Sequence, residues 1–294
     1  MLARAKINLG LEVDEVDANG LHPLRTIFAE ISLADELTAE PAPAWQLDVG
    51  GNEQDCPPNP EDNLVWRAEE LVMAVSRQGK GKRIGHGWRV NLVKRIPAGA
   101  GLGGASSDAA AWIRFQSRKD PALADALWRA AADLGKDIPF FRHGGVQFGS
   151  GYGEGLRPIA APGFRPYVIL ANPGRPLSTA AVYRAFDQVA RVARPRVNLE
   201  TIERAIVAGT LPEVLENQLE PAAYLVDSAL REFSVALRRW SGGVVWWLSG
   251  SGATYYILER DQDRAAWLHE TIHRRVPRVW MAQVVPERPA MERG

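Results

Sequence analysis

Cysteine and lysine are scarce in this sequence, and neither sign of charge is in excess. One cysteine, Cys56, can form no internal disulfide and no cysteine-based metal site. The 35 Lys and Arg residues balance 35 Asp and Glu residues, so no global field draws the chain to nucleic acid or to an anionic membrane. Any anionic ligand must therefore be held by local groups, and only 6 of the 35 cations are lysines.

Long apolar runs are missing as well. The N-terminal segment MLARAKINLGLEV alternates apolar and polar residues, a pattern that predicts a strand instead of a signal peptide. The longest apolar clusters, such as residues 244–248, have the length of a strand and not the roughly 18 apolar residues of a membrane span. We therefore expect a soluble, cytoplasmic protein that binds neither nucleic acid nor membranes.

Strand patterns come in groups that are interrupted by helical patterns, which predicts an α+β fold instead of a strict βαβ series. The 294 residues suffice for two ordinary domains, and the stretch 149–166, rich in Gly and Pro, predicts a boundary between domains at 1–155 and 156–294. Strands are expected at 5–13, 26–33, 35–39, 45–49, 88–93, 146–148, 167–171, 244–248, 254–258 and 278–285. Helices are expected at 61–77, 108–115, 122–134, 179–189, 199–208, 212–219, 222–239 and 262–275.

The strongest chemical signal is the segment RIPAGAGLGGASS at residues 95–107, between a predicted strand and a predicted helix. Glycines let backbone N–H groups converge on an anion, and a helix N-terminus adds partial positive charge, so we predict a phosphate-binding loop. Gly99, Gly101 and Gly104 also match the dinucleotide pattern G-x-G-x-x-G, but a helical segment follows where that pattern needs a second strand. Ala105 stands where a Walker A loop needs Lys. A tight turn without a ligand remains an alternative.

Two ionisable residues are ambiguous from their positions alone. Lys6 lies on an alternating strand, where a solvated lysine is the simpler interpretation. Asp137 follows a predicted helix and precedes the apolar run 138–141. A carboxylate in such a position is either a turn residue or a site residue whose pKa is set by burial and a nearby cation.

Eight segments between residues 3 and 254 form an ordered set: ARAKINLGLEV, NGLHPLRTIFAEISLADEL, EDNLVWRAEELV, VKRIPAGAGLGGASSDAAA, LGKDIPFF, NPGRPLSTAAVYRAFD, NQLEPAA and WLSGSGAT. Together they resemble the GHMP kinase superfamily, and within it the branch whose acceptor is a cytidine-diphosphate-linked methylerythritol of the non-mevalonate isoprenoid pathway. The resemblance implies a two-domain α+β GHMP kinase fold with the active site in the cleft between the domains. It also implies transfer of the γ-phosphate of ATP, with Mg²⁺, to the 2-hydroxyl of that substrate.

The resemblance assigns catalytic and nucleotide-binding residues. Asp137 would be the base that accepts the hydroxyl proton, and Lys6 would hold that carboxylate ionised while contacting the attacking oxygen or the phosphate. The loop residues that would grip the ATP phosphates, with serine hydroxyls near the metal, are Pro97, Gly99, Gly101, Leu102, Gly103, Gly104, Ser106 and Ser107. The residues that would line the pocket for the nucleotide base and ribose are Asn63, Leu64 and Lys94.

The resemblance also assigns substrate-binding residues. His22 would recognise the cytosine base and Tyr183 would stack on it, while Asn8 would orient the alcohol. Thr179 and Arg184 would flank the same pocket, since Arg can bind a diphosphate. Leu21 replaces the Tyr usual beside the histidine, so the base would have one aromatic face and one apolar face.

Other interpretations stay open at this point. Homoserine and mevalonate kinases of the same superfamily would share the glycine loop but not the segments that carry His22 and Tyr183. A non-catalytic nucleotide-binding protein on the same fold would need a broken Lys6–Asp137 pair or a degraded loop, and neither is seen. The sequence decides nothing between a monomer and a homodimer.

The segment HETIH at residues 269–273 formally matches the zinc pattern H-E-x-x-H. No third ligand follows at a metalloprotease spacing, and charged neighbours surround the segment. We therefore interpret the match as a coincidence and expect no protein-held metal site.

Overall fold

The computed structural model describes residues 1–51, 59–78, 87–189 and 194–288, and Cys56 lies outside these ranges. Two β-sheets with helices packed on them confirm the predicted α+β class. The strands are β1 (Leu2–Val13), β2 (Leu24–Ala42), β3 (Gln46–Gly51), β4 (Gly87–Lys94), β5 (Val146–Ser150), β6 (Gly155–Pro158), β7 (Tyr167–Ala171), β8 (Trp247–Leu248), β9 (Tyr255–Glu259) and β10 (Val279–Gln283). The helices are α1 (Leu64–Gln78), α2 (Gly104–Lys119), α3 (Ala124–Leu134), α4 (Phe140–His143), α5 (Thr179–Phe186), α6 (Leu199–Val207), α7 (Glu220–Val226), α8 (Ser228–Trp240) and α9 (Gln262–His273).

The larger sheet is built around β2. Its strand order is β3-β4-β2-β5-β6, and β1 also pairs with β2. β3 runs parallel to β4, whereas the other neighbouring strands are antiparallel. The smaller sheet is antiparallel, with the order β10-β7-β9-β8. Within the described ranges, none of the helices combines the length and the apolar character that crossing a membrane requires.

Alternation along β1 separates the hydrophobic core from the polar side chains of the site. Ala5, Ile7 and Leu9 are fully buried in a core that also contains residues of β7, β9 and β10, so this core lies between the two sheets. Because successive side chains point to opposite faces of a strand, Lys6 and Asn8 lie on the other face. That face is covered by α1, α2 and α3, while α5, α7, α8 and α9 cover the outer face of the smaller sheet.

The structure corrects several predicted elements. The helix predicted at 212–219 is wrong, because this segment runs beside β1: Leu11 N donates to Glu216 O and Gln218 N donates to Leu11 O. The helix predicted at 222–239 is divided into α7 and α8 at Asp227, whose carboxylate caps α8. β2 continues without the break predicted at residue 34, and β8 is shorter than the strand predicted at 244–248.

The predicted domain boundary lies in a stretch that contains a strand. β6 falls inside the Gly-rich and Pro-rich segment and pairs with β5 in the larger sheet. After β10 the chain returns to the larger sheet, where Val284 forms a bridge with Ile31. Residues on both sides of position 155 therefore contribute to the larger sheet.

Candidate active site

The glycine loop joins β4 to α2 and forms one wall of a cavity. Gly99, Gly101 and Gly103 have φ values of 58°, 74° and 69°, in the left-handed region that favours glycine. α2 begins directly after the loop, so its N-terminal N–H groups lie at the wall formed by residues 103–106. Free N–H groups and the partial positive charge of a helix N-terminus make this wall an anion site. The predicted loop residues on the cavity wall are Pro97, Gly99, Gly101, Gly103, Gly104 and Ser106.

The carbonyl groups of the loop are bonded to the part of the chain that carries the smaller sheet. These bonds run from Leu177 N to Gly99 O at 3.0 Å, from Thr254 N to Ala100 O at 3.2 Å and from Ser249 Oγ to Gly101 O at 3.0 Å. A Cβ atom on Gly101 would lie 2.0 Å from Ser249 O, so only glycine fits there. The second glycine turn, SGSG at 249–252, therefore packs directly on the phosphate loop.

Lys6 and Asp137 meet at this cavity. Lys6 Nζ lies 3.4 Å from Asp137 Oδ2 and donates a hydrogen bond of 2.7 Å to Asn8 Oδ1. The ammonium also lies 5.5 Å from the centroid of the Phe28 ring. The Lys6 side chain is 5% exposed and that of Asp137 is 34% exposed. The lysine is thus fixed in the wall, while the carboxylate is open to a ligand.

A hydrogen-bond chain on β1 and β2 fixes the orientation of Asn8. Its Nδ2 donates to Thr26 Oγ1 at 3.1 Å, and Thr26 Oγ1 in turn donates to Gly10 O at 2.6 Å. The amide oxygen of Asn8 therefore faces Lys6. Thr26 is fully buried, so water does not compete for these bonds.

A second cavity adjoins the first. The residues common to the two walls are Leu24, Ser106, Asp137, Thr179 and Tyr183. The second cavity is lined further by Leu21, His22, Tyr152 and Arg184. Burial, and to a lesser degree the charge of Asp137, raises the pKa of the Tyr183 hydroxyl, so this ring stays neutral. Asp137 lies where a ligand of one cavity would meet a ligand of the other.

His22 is held firmly in the wall of the second cavity. Because a carbonyl oxygen can only accept, His22 Nδ1 donates the 2.8 Å hydrogen bond to Asp14 O. His22 Nε2 lies 3.4 Å from Asp187 Oδ1. The imidazole centroid lies 5.7 Å from that of Tyr183 and 5.5 Å from that of Phe186. The structure therefore brings together the predicted pair, His22 and Tyr183.

The resemblance places Lys94 in the pocket for the nucleotide base and ribose. In the structure, its side chain is instead enclosed by carboxylates. Its side chain is 6% exposed, and its ammonium donates to Asp35 Oδ2 and, at 2.7 Å, to Asp108 Oδ2. Asp35 Oδ1 also accepts hydrogen bonds from the backbone N–H groups of Arg95 and Ile96, at the start of the loop. Lys94 lines the first cavity, but its charge is engaged by two carboxylates, and one of them, Asp35, anchors the loop.

Four predicted nucleotide-binding residues, Asn63, Leu64, Leu102 and Ser107, lie outside both cavities. Asn63 precedes α1, where its Oδ1 accepts a hydrogen bond of 2.9 Å from Val65 N. Ser107 is 1% exposed and donates a hydrogen bond of 2.6 Å to Arg4 O. Leu102 is buried in the core between the sheets. Ser106 is therefore the member of the serine pair that reaches the cavity wall.

Tyr152, Gly250 and Ser251 are among the residues of the cavity walls that sequence reasoning did not assign to the site. Ser251 Oγ lies 2.8 Å from Thr179 Oγ1, and a Cβ atom on Gly250 would lie 3.3 Å from Lys6 Nζ. The repeated glycines of WLSGSGAT were an available signal for the last two. Tyr152 lies in the turn between β5 and β6, where nothing in the sequence pattern indicates a site.

The HETIH segment lies at the C-terminal end of α9. The rings of His269 and His273 stack with centroids 5.5 Å apart, and Glu270 forms an ion pair with Arg274. In the part of the chain that the structure describes, no group of three or more His, Cys, Asp or Glu side chains is placed to hold a metal ion.

Comparison with known proteins identifies the family. Residues 63–145 match the family described as GHMP kinases N terminal domain. The 4-diphosphocytidyl-2-C-methyl-D-erythritol kinase of Cutibacterium acnes is 36% identical over 264 residues, which cover 87% of this chain and 84% of that protein. The kinase of the same name from Thermus thermophilus is 37% identical over 265 residues, which cover 90% of this chain and 89% of that protein.

Solved structures share the fold over nearly the whole chain. A crystal structure of 4-(cytidine 5'-diphospho)-2C-methyl-D-erythritol kinase has a TM-score of 0.77 and 34% identity, covering 97% of this chain and 98% of that one. The mevalonate kinase of L. major, solved with R-mevalonate, has a TM-score of 0.68 at 18% identity, covering 97% of this chain and 95% of that one, and shares the fold. The predicted GHMP kinase fold and the resemblance are confirmed. The chain belongs to the GHMP kinases and, within them, to the family of 4-diphosphocytidyl-2-C-methyl-D-erythritol kinases.

Proposed function

We propose that this kinase transfers the γ-phosphate of ATP to the 2-hydroxyl of 4-diphosphocytidyl-2-C-methyl-D-erythritol, with Asp137 as the general base and Lys6 as its cation. The observation that carries the proposal is the 3.4 Å Lys6–Asp137 pair, which lies beside the glycine loop where the two cavities meet. Phosphoryl transfer depends mainly on positioning and charge stabilisation, and this arrangement can supply both.

The first cavity would hold the phosphates of ATP. Its wall carries the N–H groups of the glycine loop and of the α2 N-terminus, which stabilise negative charge on the transferred group. As the bond between the acceptor oxygen and the γ-phosphorus forms, the bond from that phosphorus to the ADP oxygen breaks. Asp137 accepts the proton of the hydroxyl, and Lys6 stabilises the carboxylate and the attacking oxygen.

The side-chain oxygens at the cavity junction fit a Mg²⁺ ion that is held mainly by phosphates. Magnesium binds through oxygen ligands, often one or two carboxylates with substrate phosphates and water. Ser106 and Asp137 line both cavities, so their oxygens are the protein groups that would face such an ion. When bound, the metal neutralises charge on the ATP phosphates.

The second cavity would hold the cytidine diphosphate part of the acceptor. Tyr183 offers a neutral aromatic face, and the fixed ring of His22 lies next to it. Arg184 and Lys136 are cations on the same wall, as a diphosphate requires. Leu21 is 45% exposed, so it can cover the other face of the base. Both ligands are water-soluble anions, which supports a cytoplasmic site of action. Neither ligand distinguishes a monomer from a homodimer.

An acceptor assay tests the proposal. Purified protein is given ATP, Mg²⁺ and, separately, the cytidyl substrate, homoserine or mevalonate, and ADP release is followed. We expect turnover with the cytidyl substrate and at most traces with the other two alcohols. Turnover of homoserine or mevalonate at an equal rate contradicts the proposed acceptor, and ATP binding without turnover of any alcohol contradicts the proposed catalysis.

The Asp137→Asn variant tests the base within the same assay. Asparagine keeps the size of the side chain but cannot accept the proton, so kcat should fall by about 10² to 10⁴ while ATP binding persists. The matched control is Asp125→Asn, which alters an exposed aspartate paired with Arg142. Near wild-type activity of Asp137→Asn would show that another group takes the proton.

A further inference from the structure

The C-terminal part of the described chain crosses from the smaller sheet to the larger one. Beyond β10, Val284 forms a bridge with Ile31 of β2, and Val285 N donates a hydrogen bond of 2.8 Å to Glu30 O. This brings Arg288 to the face of the larger sheet that also carries Lys6. There its guanidinium donates hydrogen bonds to Glu30.

Arg288 and Glu30 form an ion pair shielded from solvent. Arg288 Nε donates to Glu30 Oε1 at 2.9 Å and to Oε2 at 3.1 Å, and Nη2 donates to Oε1 as well. The side chains are 4% and 0% exposed. Glu30 Oε2 also accepts a hydrogen bond of 3.0 Å from Gly145 N. A buried carboxylate needs such compensation, because the loss of its partner leaves an uncompensated charge in a medium of low dielectric constant.

Glu30 lies opposite Lys6 in the ladder between β1 and β2. Side chains of directly opposed residues lie on the same face of a sheet, with Cβ atoms about 4.5 to 5.5 Å apart. Without Arg288, the Glu30 carboxylate would have no cationic partner. It would then compete with Asp137 for the ammonium group of Lys6. The arginine therefore removes a competitor from the proposed Lys6–Asp137 pair.

Arg288 also contacts the segment that carries Asp137. Its Nη1 donates a hydrogen bond of 3.0 Å to Phe141 O, in the short helix that begins three residues after Asp137. The turn between them is closed by hydrogen bonds from Ile138 N to Gly135 O and from Phe141 N to Ile138 O. The Phe141 ring packs against the phosphate loop, since a Cβ atom on Gly103 would lie 3.1 Å from Phe141 Cζ.

We propose that Arg288 is a positioning residue of the phosphoryl transfer, which neutralises Glu30 so that Lys6 pairs with Asp137. This inference rests on the proposed roles of Lys6 and Asp137. It assigns a catalytic consequence to a contact between residues separated by 258 positions, neither of which lines the first cavity.

A set of charge variants tests the proposal. Arg288→Met leaves Glu30 without its cation, so Lys6 is drawn away from Asp137. The kcat should then fall at least about tenfold, because misplacement of a reacting group by about 1 Å can lower the rate by about 10². The KM for ATP should change less than about twofold, because the phosphate loop keeps its own anchors. In the double variant Glu30→Gln/Arg288→Met the competing charge is gone, and kcat should recover to within about threefold of wild type. Glu30→Gln alone should keep kcat within the same range.

The matched control is Arg157→Met, which removes an arginine of β6, in the same sheet, from an exposed pair with Glu203 of α6. It should leave kcat and KM unchanged. All assays are run below the melting transition of each variant, followed by circular dichroism, so that unfolding is not counted as lost catalysis.

Each outcome separates the inference from the proposed function. Full activity of Arg288→Met, with Asp137→Asn inactive, overturns the inference and leaves the proposed function intact. Equal loss in the single and double variants overturns it too, because a purely structural role predicts no recovery. If Arg288→Met does not fold, a kcat of Glu30→Gln below a tenth of wild type contradicts the inference, and wild-type kcat supports it. Full activity of Asp137→Asn would instead contradict the proposed base.

Discussion

Lys6 and Lys94 lie on strands that flank β2 and are almost equally buried, at 4% and 7% exposure, yet their surroundings differ. Lys94 donates to two carboxylates, Asp35 and Asp108, which are 0% and 3% exposed. Lys6 donates to a neutral amide and lies 3.4 Å from a carboxylate that is one-third exposed.

The contrast shows what distinguishes a structural lysine from a reactive one in this fold. The ammonium of Lys94 is enclosed by two buried carboxyl groups, so its hydrogen bonds are made within the protein. The partner of Lys6 remains open to a ligand, so a hydroxyl proton or a phosphate oxygen can join the pair. The exposure of the partner, and not the burial of the lysine, separates the two roles.

The largest effect on activity expected from this comparison is the loss of catalysis in Lys6→Met. Methionine keeps the apolar stem but removes the cation beside Asp137, and kcat should fall by about 10² to 10³. The free energy of unfolding should change by less than about 1 kcal/mol, because a lysine that lies against a partly exposed carboxylate contributes little. Steady-state kinetics and urea unfolding measure the two quantities. Lys119→Met, at the exposed end of α2, is the control, and its kcat and free energy of unfolding should match the wild type. A Lys6→Met enzyme with more than a tenth of wild-type kcat would contradict the distinction between a structural and a reactive lysine.

The next effect is a loss of stability in Lys94→Met. Removal of the shared cation leaves Asp35 and Asp108 buried without their partner, which should lower the free energy of unfolding by about 3 to 5 kcal/mol. Asp108→Asn in the same background should recover part of this loss, because one of the two buried carboxyl groups disappears. Urea denaturation of both variants measures this. An unchanged midpoint together with a raised KM for ATP would assign Lys94 to the nucleotide after all.

Glu69 is a buried carboxylate that no lysine pairs with in the described structure, and it should make the stability of the protein depend on pH. Glu69, in α1, is 7% exposed and accepts hydrogen bonds from Trp112 Nε1 at 2.8 Å and Gln116 Nε2 at 3.4 Å. Burial raises its pKa from 4.5 to about 7. Between these values the folded protein binds a proton that the unfolded chain has released, so stability should fall as pH rises, by up to about 3 kcal/mol.

Unfolding by urea at pH 5, 6, 7 and 8 tests this dependence. In Glu69→Gln the contribution of this group to the slope should disappear, since glutamine does not titrate. A variant whose stability depends on pH as strongly as the wild type would show that Glu69 is already ionised in the folded state at pH 5.

The smallest effect is expected in the second cavity, where a substitution should change only the binding of the cytidyl substrate. Leu21→Tyr places a second aromatic ring beside the proposed cytosine site opposite Tyr183, and stacking of about 1 kcal/mol should lower the KM for the cytidyl substrate about fivefold. kcat and the free energy of unfolding should stay as in the wild type. The companion variant Tyr183→Leu should raise the same KM. Equal KM values in all three proteins would show that the cytosine base does not bind in this cavity.

The sequence predicted those parts of the site that depend on local chemistry. The glycine loop could be found because left-handed backbone and close approach demand glycine itself, as at Gly101. Lys6 and Asp137 were identified by resemblance, since their positions alone left both ambiguous.

Contacts between distant residues could not be predicted. The Lys94 cluster joins residues 59 positions apart, and the Arg288–Glu30 pair joins residues 258 positions apart. The segment at 212–219 has helical periodicity, but its hydrogen bonds to β1, about 205 residues away, hold it beside that strand in a non-helical conformation. In each case tertiary contacts outweigh the local preference.

Hydrogen bonds to the carbonyl groups of the phosphate loop orient its peptide dipoles. Three consecutive carbonyls are turned toward donors of the chain, and the next, Leu102 O, accepts from Lys6 N at 2.9 Å. With their negative ends engaged elsewhere, the amides are left to present their positive ends to a ligand. This alignment is completed when the protein folds, so a phosphate meets a preorganised surface and binding loses little conformational entropy. The loop should therefore discriminate against cations and neutral ligands even though the chain as a whole carries no net charge.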